Sequence, residues 1–260
     1  MPKLTSPPPS THSVIVDGLK LTNLIIPVLA DSRKPMQLDC QFDMEGEELS
    51  SVMWYKDNAE FFRYTPNTMP NKKVFPVKGV RLVLPNTDCN RQHCKIELDY
   101  LSKPTSAGLY SCQITSESPT FSFAHKSQNV TIATLPLEEP KLEGLQDFYS
   151  IGDILEANCT SSPSDPASIL SWYINGDQVP RDLIGKTKVW VLDGLEAQST
   201  SLRFEINHDY LGNESDIIQL QCVSTLPDLP ILPQRVTKSI RINFINNTSN
   251  IFDSFLSIFF

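Results

Sequence analysis

Six cysteines carry most of the reactive chemistry in this chain: Cys40, Cys89, Cys94, Cys112, Cys159 and Cys222. The even count points to disulfide formation, and six thiols allow about 15 connectivities before any further argument. No Cys-x-x-Cys pair occurs, which argues against a zinc ribbon or a thioredoxin-type dithiol. Cys89, His93 and Cys94 sit close together, but no second ligand pair lies at metal spacing, so no metal site is expected. The four histidines, His12, His93, His125 and His208, fall in a tail or on loops and strand edges. No nucleophile motif or phosphate-binding loop accompanies them, so neither catalysis nor a cofactor is expected.

The elements that must position these cysteines are short strands. The 260 residues suffice for about two ordinary domains, and 40% hydrophobic content suits a packed chain. Twenty prolines against 10 glycines interrupt any long helix. A net charge of −8, a pI near 5.0 and the lack of any basic run argue against nucleic acid or anionic lipid as main partners.

Alternation marks strands at Met36 to Phe42, Lys95 to Leu101, Ser106 to Thr115 and Phe121 to Thr134. Lys73 to Val77 and Val80 to Leu84 read as two more, separated at Gly79. The stretch LSSVMWYKDNAEFFRY, Leu49 to Tyr64, places Trp54 in an alternating strand. A polar turn at Lys56-Asp57-Asn58 and an aromatic strand follow. After the proline-bounded LPLEEP the pattern repeats: strands at Ile154 to Thr160, Ile169 to Ile174, Ser201 to Ile206, Ile217 to Ser224 and Arg235 to Phe244.

In each block a tryptophan lies between two widely spaced cysteines: Trp54 between Cys40 and Cys112, and Trp172 between Cys159 and Cys222. Cys…Trp…Cys on alternating strands is the immunoglobulin signature, with the tryptophan packed on an inter-sheet disulfide. Tyr110, two residues before Cys112, occupies the tyrosine-corner position. The expected fold is all-β, two tandem immunoglobulin-like sandwiches, with Trp54, Trp172 and Tyr110 in their cores. The wider first block reads as variable-type and the second as constant- or intermediate-type. The expected organisation is a disordered tail at 1–13, a first domain at 14–134, a linker at 135–140, a second domain at 141–245 and a C-terminal tail at 246–260. The expected bridges are Cys40–Cys112 and Cys159–Cys222. Cys89 and Cys94 flank a turn and are assigned as a third bridge across a hairpin, the alternative being two free thiols.

Sequons at Asn129, Asn158, Asn213 and the overlapping pair Asn246 and Asn247 agree with an extracellular protein, secreted or anchored at the cell surface. The N-terminus, MPKLTSPPPSTHS, has no apolar core of a signal peptide. The stretch IFDSFLSIFF at the other end is too short to span a bilayer and reads as the start of a GPI signal or membrane helix, or as a misread exon end. Both ends are therefore expected to be incomplete.

Several stretches resemble the Beaten path (Beat) family of neuronal guidance proteins: LDCQFDMEGEELSSVMWYKDNAEFFRYTP, VFPVKGV, GLYSCQI, LPLEEP and NCTSSPSDPASILSWYINGDQVP. The resemblance extends over about residues 19–245. EGEEL–SVMWYKD–EFFRY and WYINGDQVP are its most specific parts. It implies secreted or membrane-anchored tandem immunoglobulin proteins that act in axon guidance and synaptic partner choice. The implied partners are Sidestep-family immunoglobulin receptors, bound through the first domain. The chain departs from the general immunoglobulin pattern at Ser106, where Asp is usual, which leaves Arg81 without its customary partner. In the second block Leu220 and Ile218 replace the corner tyrosine and glycine, while Asp216 is kept.

The expected binding surface is the outer C–C′–F–G face of the first domain: Met53, Tyr55, Phe62, Tyr64, Ser111, Gln113 and Thr115. Alternation from Trp54 and Cys112 turns the members from the C and F strands outward. The choice between Phe61 and Phe62 depends on an intervening turn. The competing reading is a soluble immune-type or ligand-capturing receptor on the same fold, with a non-immunoglobulin partner.

Overall fold

The structure is a computed structural model, and it describes residues 18–211 and 216–243. The tails, Asn213, Asn246, Asn247 and His12 lie outside the described residues. The chain divides into two compact units, residues 1–132 and 133–260.

Among its described residues the first unit holds ten strands: β1 Lys20–Ile25, β2 Leu29–Asp31, β3 Met36–Asp43, β4 Leu49–Lys56, β5 Ala59–Tyr64, β6 Lys72–Val74, β7 Asp88–Cys89, β8 His93–Leu98, β9 Gly108–Ser116 and β10 Phe123–Ala133. One sheet runs β1-β3-β8-β7 and the other β2-β10-β9-β4-β5-β6. β1 and β2 lie in different sheets, and the chain crosses between them at Pro27, which cannot donate to either ladder. β5 and β6 add two strands beyond β4, which makes this unit variable-type.

Alternation in β3, β4 and β9 turns Cys40, Trp54 and Cys112 inward, all fully buried. Trp54 lies directly opposite Cys112 in the β4–β9 ladder, and Cys112 is bonded to Cys40 across the sandwich. Tyr110 is equally buried, and its hydroxyl donates to the Ser106 carbonyl at 2.7 Å. Burial pushes its phenol pKa well up. The Ser106 hydroxyl donates to the Gly79 carbonyl at 2.7 Å and accepts from the Ser102 amide at 2.9 Å. A serine thus ties this loop where an aspartate is usual.

Arg81 is not left alone, contrary to expectation. Its Nε lies 3.3 Å from Asp99 Oδ1, and its guanidinium stacks 3.9 Å from the centre of the Tyr100 ring. Val80 to Leu84 is not a strand beyond a single bridge at Leu82. Leu84–Asn86 is a turn of 3-10 helix with Pro85 in its first positions, and the tightened backbone leaves the ladder. Cys89 and Cys94 are paired across the β7–β8 hairpin and bonded to each other.

The second unit holds nine strands among its described residues: β11 Lys141–Glu143, β12 Phe148–Ser150, β13 Ile154–Thr160, β14 Ile169–Ile174, β15 Asp177–Gln178, β16 Lys188–Leu192, β17 Leu195–Glu205, β18 Ile217–Thr225 and β19 Gln234–Asn243. They form sheets β11-β13-β17-β16 and β12-β19-β18-β14-β15. Trp172 again sits opposite a bonded cysteine, Cys222, which joins Cys159. Trp172 is fully buried, and its indole N–H donates to Thr200 Oγ1 at 3.3 Å. Leu220 and Ile218 are fully buried core residues. The chain is therefore two tandem immunoglobulin-like sandwiches, the second of constant or intermediate type. Among the described residues no helix is long and apolar enough to cross a membrane.

Candidate recognition face of the first unit

The outer face of β6-β5-β4-β9-β10 is built in rows set by strand register. One row crosses the sheet as Lys73, Arg63, Met53, Gln113 and His125. A second runs Glu60, Tyr55, Ser111 and Ser127. A third runs Ser51, Thr115 and Phe123, and Leu109 pairs with Asn129 further along β9 and β10.

Three of the expected binding residues are not available on this surface. Phe62 is fully buried and Tyr64 nearly so, both within the core cluster. The reason is a β-bulge. Trp54 pairs with Phe62 and Tyr55 with Glu60, so Phe61 is the extra residue. A bulge breaks the two-residue period, and adjacent side chains turn to the same side. Phe61 and Phe62 therefore both point inward, Tyr64 follows in phase, and Glu60 and Arg63 point outward. Met53 lies on the outer side of β4 but is only 6% exposed. Its neighbours cover it, and the Tyr55 hydroxyl donates to Met53 Sδ at 3.3 Å.

The remaining members, Tyr55, Ser111, Gln113 and Thr115, share the outer face and are each partly exposed. Arg63 forks onto Glu60 with Nε–Oε1 and Nη2–Oε2 distances of 2.6 and 2.7 Å. That bond holds the guanidinium pKa above its ordinary value. Burial pushes the Tyr55 phenol up, the Glu60 charge adds to this, and Arg63 opposes it. Ser51 and Thr115 join their hydroxyls at 2.9 Å. The centre of the face is thus a half-buried tyrosine over a methionine, framed by an ion pair and hydroxyls.

The margin on the β10 side is more apolar than expected. Phe121 and Phe123 are 71% and 66% exposed, and Phe123 stacks on His125 at 6.5 Å between ring centres. The signal lay in the alternation of Phe121-Ser-Phe-Ala-His125, whose phase follows from the buried Val130 and Ile132. The loop that carries Phe121 is tied down by Glu47, which accepts from Thr120 Oγ1 at 2.8 Å and Ser122 Oγ at 3.2 Å. Hydroxyls of Ser116, Thr120 and Ser122 hold the Glu47 carboxyl below its usual range.

Of the sequon residues, Asn129 and Asn158 are exposed. Asn129 points to the same outer side, beside Leu109 at one end of the face. The His93 imidazole is used locally, 3.0 Å from Asp88 Oδ2. Among the described residues no group of three or more His, Cys, Asp or Glu could hold a metal ion.

No family model matches the chain, and no curated protein does. Solved structures similar to it include D1–D2 of Rst, at 14% identity over 87% of this chain and 99% of that one, with a TM-score of 0.41. A chicken TCR shares 12% identity over 84% and 99%, with a TM-score of 0.32. The D1–D4 ectodomain fragment of ICAM-5 shares 13% identity over 87% of this chain, with a TM-score of 0.46, and 54% of that fragment is covered. The immunoglobulin assignment stands on the sheet orders, the two tryptophan–disulfide pairs and the tyrosine corner described above.

Proposed function

We propose that this chain is an extracellular recognition protein, secreted or held at the cell surface, that docks a Sidestep-type immunoglobulin receptor in axon guidance and synaptic partner choice. The resemblance to the Beat family supports that partner class. Three disulfides and exposed sequon asparagines fit an oxidising, extracellular setting. The docking surface is the outer face of β5-β4-β9-β10.

One observation carries this reading: the sheet presents half-buried Tyr55 at its centre and exposed Phe123 at its margin. The polar Ser111, Gln113 and Thr115 lie between them. An aromatic anchor in a polar field is how binding energy concentrates at protein interfaces.

The test is a binding screen of the glycosylated two-domain protein against cell-surface immunoglobulin proteins of the same organism. Tyr55→Ala and Phe123→Ala are run beside the wild type. The expected result is an immunoglobulin partner whose affinity falls by about 2 kcal/mol in the tyrosine variant. A partner bound equally by both folded variants removes this face from the interface, and capture of a non-immunoglobulin ligand alone overturns the partner class.

A further inference from the structure

Among its described residues the second unit carries one edge strand that lacks the usual protection. β16 is the outermost strand of its sheet, so alternate residues aim their N–H and C=O groups away from β17 into open space. All five of its residues are exposed. Val189, Trp190, Val191 and Leu192 are 60%, 41%, 65% and 55% exposed, an unbroken apolar run. The other edges of this unit are blunted. β15 is two polar residues, β12 is three residues long, and β11 is three residues with a charge at each end. Short length and charge are the ordinary defences against edge-to-edge pairing, and β16 has neither beyond Lys188.

The run is apolar on both sides of the strand. Trp190 lies opposite the buried Ala197 in the β16–β17 ladder. With Leu192 it walls a shallow cleft of about 230 Å³ on the outer side. Val189 and Val191 occupy the other side. A polar solvent gains nothing from this arrangement, whereas a pairing strand would cover both sides at once.

We propose that the occupant is a second copy of this chain, its β16 joined antiparallel to the first across a two-fold axis at Trp190. The segment is close to self-complementary in that direction. Trp190 meets Trp190, and Val189 of each copy meets Val191 of the other. The charges select the same direction. Lys186 and Lys188 lead into the strand, and Asp193 follows it. Antiparallel pairing sets Thr187 opposite Asp193 of the second copy, with both lysines beside that carboxylate. Parallel pairing would instead align lysine with lysine and aspartate with aspartate. The result is one continuous eight-stranded sheet, and its contact is isologous, as a closed dimer requires. Asn158 lies on the outer side of this sheet in the Ser201 row, four positions along β17 from Ala197. That is about 13 Å away at strand rise, so a glycan there leaves the edge clear.

The experiment is sedimentation velocity of the full chain over a wide concentration range, comparing wild type with Val191→Lys. The substituted side chain is exposed, so the variant should keep the circular dichroism and melting temperature of the wild type. The expected result is a reversible wild-type dimer whose dissociation constant rises about tenfold or more in the variant. Cysteine cross-linking reads the register independently. Trp190→Cys should link to itself, Val189→Cys should not, and a mixture of Val189→Cys with Val191→Cys should give the mixed dimer. A wild-type protein that stays monomeric at about 100 μM, well above the dissociation constants of ordinary specific dimers, overturns the proposal. So does a dimer untouched by Val191→Lys, or a different cross-linking pattern.

Discussion

Asp57 and Leu109 hold each other by two reciprocal hydrogen bonds. The Leu109 amide donates to Asp57 Oδ1 at 2.8 Å, and the Asp57 amide donates to the Leu109 carbonyl at 2.8 Å. Asp57 and Asn58 form the tight turn between β4 and β5, with φ values of 49° and 67°. Leu109 begins the exposed part of β9. The two bonds therefore fix the β4–β5 turn to β9, which sets the register in which Tyr55 and Ser111 lie side by side. Lys56, itself buried, pairs its ammonium with the same carboxylate.

That carboxylate should give part of the acid sensitivity of the first unit. The Lys56 ammonium and the Leu109 amide hold the Asp57 carboxyl below the usual range. Its stabilisation is fully present above the unfolded carboxylate pKa of about 4 and is lost as pH falls through the lower folded value. The Asp57 side chain is half exposed, so solvent screening keeps the effect below about 1 kcal/mol. Urea unfolding of wild type and Asp57→Asn should differ at pH 7 and converge below about pH 4. A difference that persists unchanged into acid would assign the effect to geometry instead of charge.

Gly108 must stay a glycine for the same turn to close. Its φ is +142°, and a Cβ built there would lie 2.4 Å from Asp57 Oδ1. Gly108→Ala must therefore either displace the carboxylate or strain the backbone, at a cost of about 1–3 kcal/mol. Thermal melts should show the loss. In Asp57→Ala the obstructing carboxylate is gone, so the double variant should lose less than the sum of the singles.

Phe62 and Tyr55 should respond to truncation in opposite ways. Phe62→Ala empties a fully buried site and should cost about 3–5 kcal/mol of folding stability. Tyr55→Ala should cost little stability and show itself in partner binding. Denaturant midpoints and binding isotherms on the same two variants distinguish the roles. If Phe62→Ala stays folded and only loses binding, the bulge assignment is wrong.

The contrast between these residues shows what alternation can and cannot reveal. Cys40, Trp54 and Cys112 obey a two-residue period within single strands, so their inward direction was legible without any partner strand. Phe62 and Tyr64 depend on the bulge at Phe61, which exists only in the pairing of β5 with β4 and leaves no local mark. Arg81 finds Asp99 and Tyr100 through a loop whose path no periodicity describes. β16 leaves no periodic mark for the opposite reason: with every residue exposed, Lys188 to Leu192 offers no contrast between faces. Phe123 and His125 keep the outward phase of Asn129 in β10, which is legible only once Val130 is known to face inward.

The disulfides should differ in what they contribute. Cys40–Cys112 closes a separation of 72 residues, and Cys89–Cys94 only 5. In the chain-entropy model these stabilise by about 4 and about 2 kcal/mol. The first also abuts Trp54 in the centre of the core, so its loss leaves a cavity as well as a freer unfolded chain. The second lies at the end of a hairpin whose ladder, from Asp88 to Lys95, remains without it. Cys89→Ser with Cys94→Ala should therefore secrete and fold, with a melting temperature lowered by several degrees. Cys40→Ala with Cys112→Ala should fail to reach the native state at 37 °C. Equal losses in the two pairs would mean that loop length does not set these contributions, and that the β7–β8 bond acts on the native state itself.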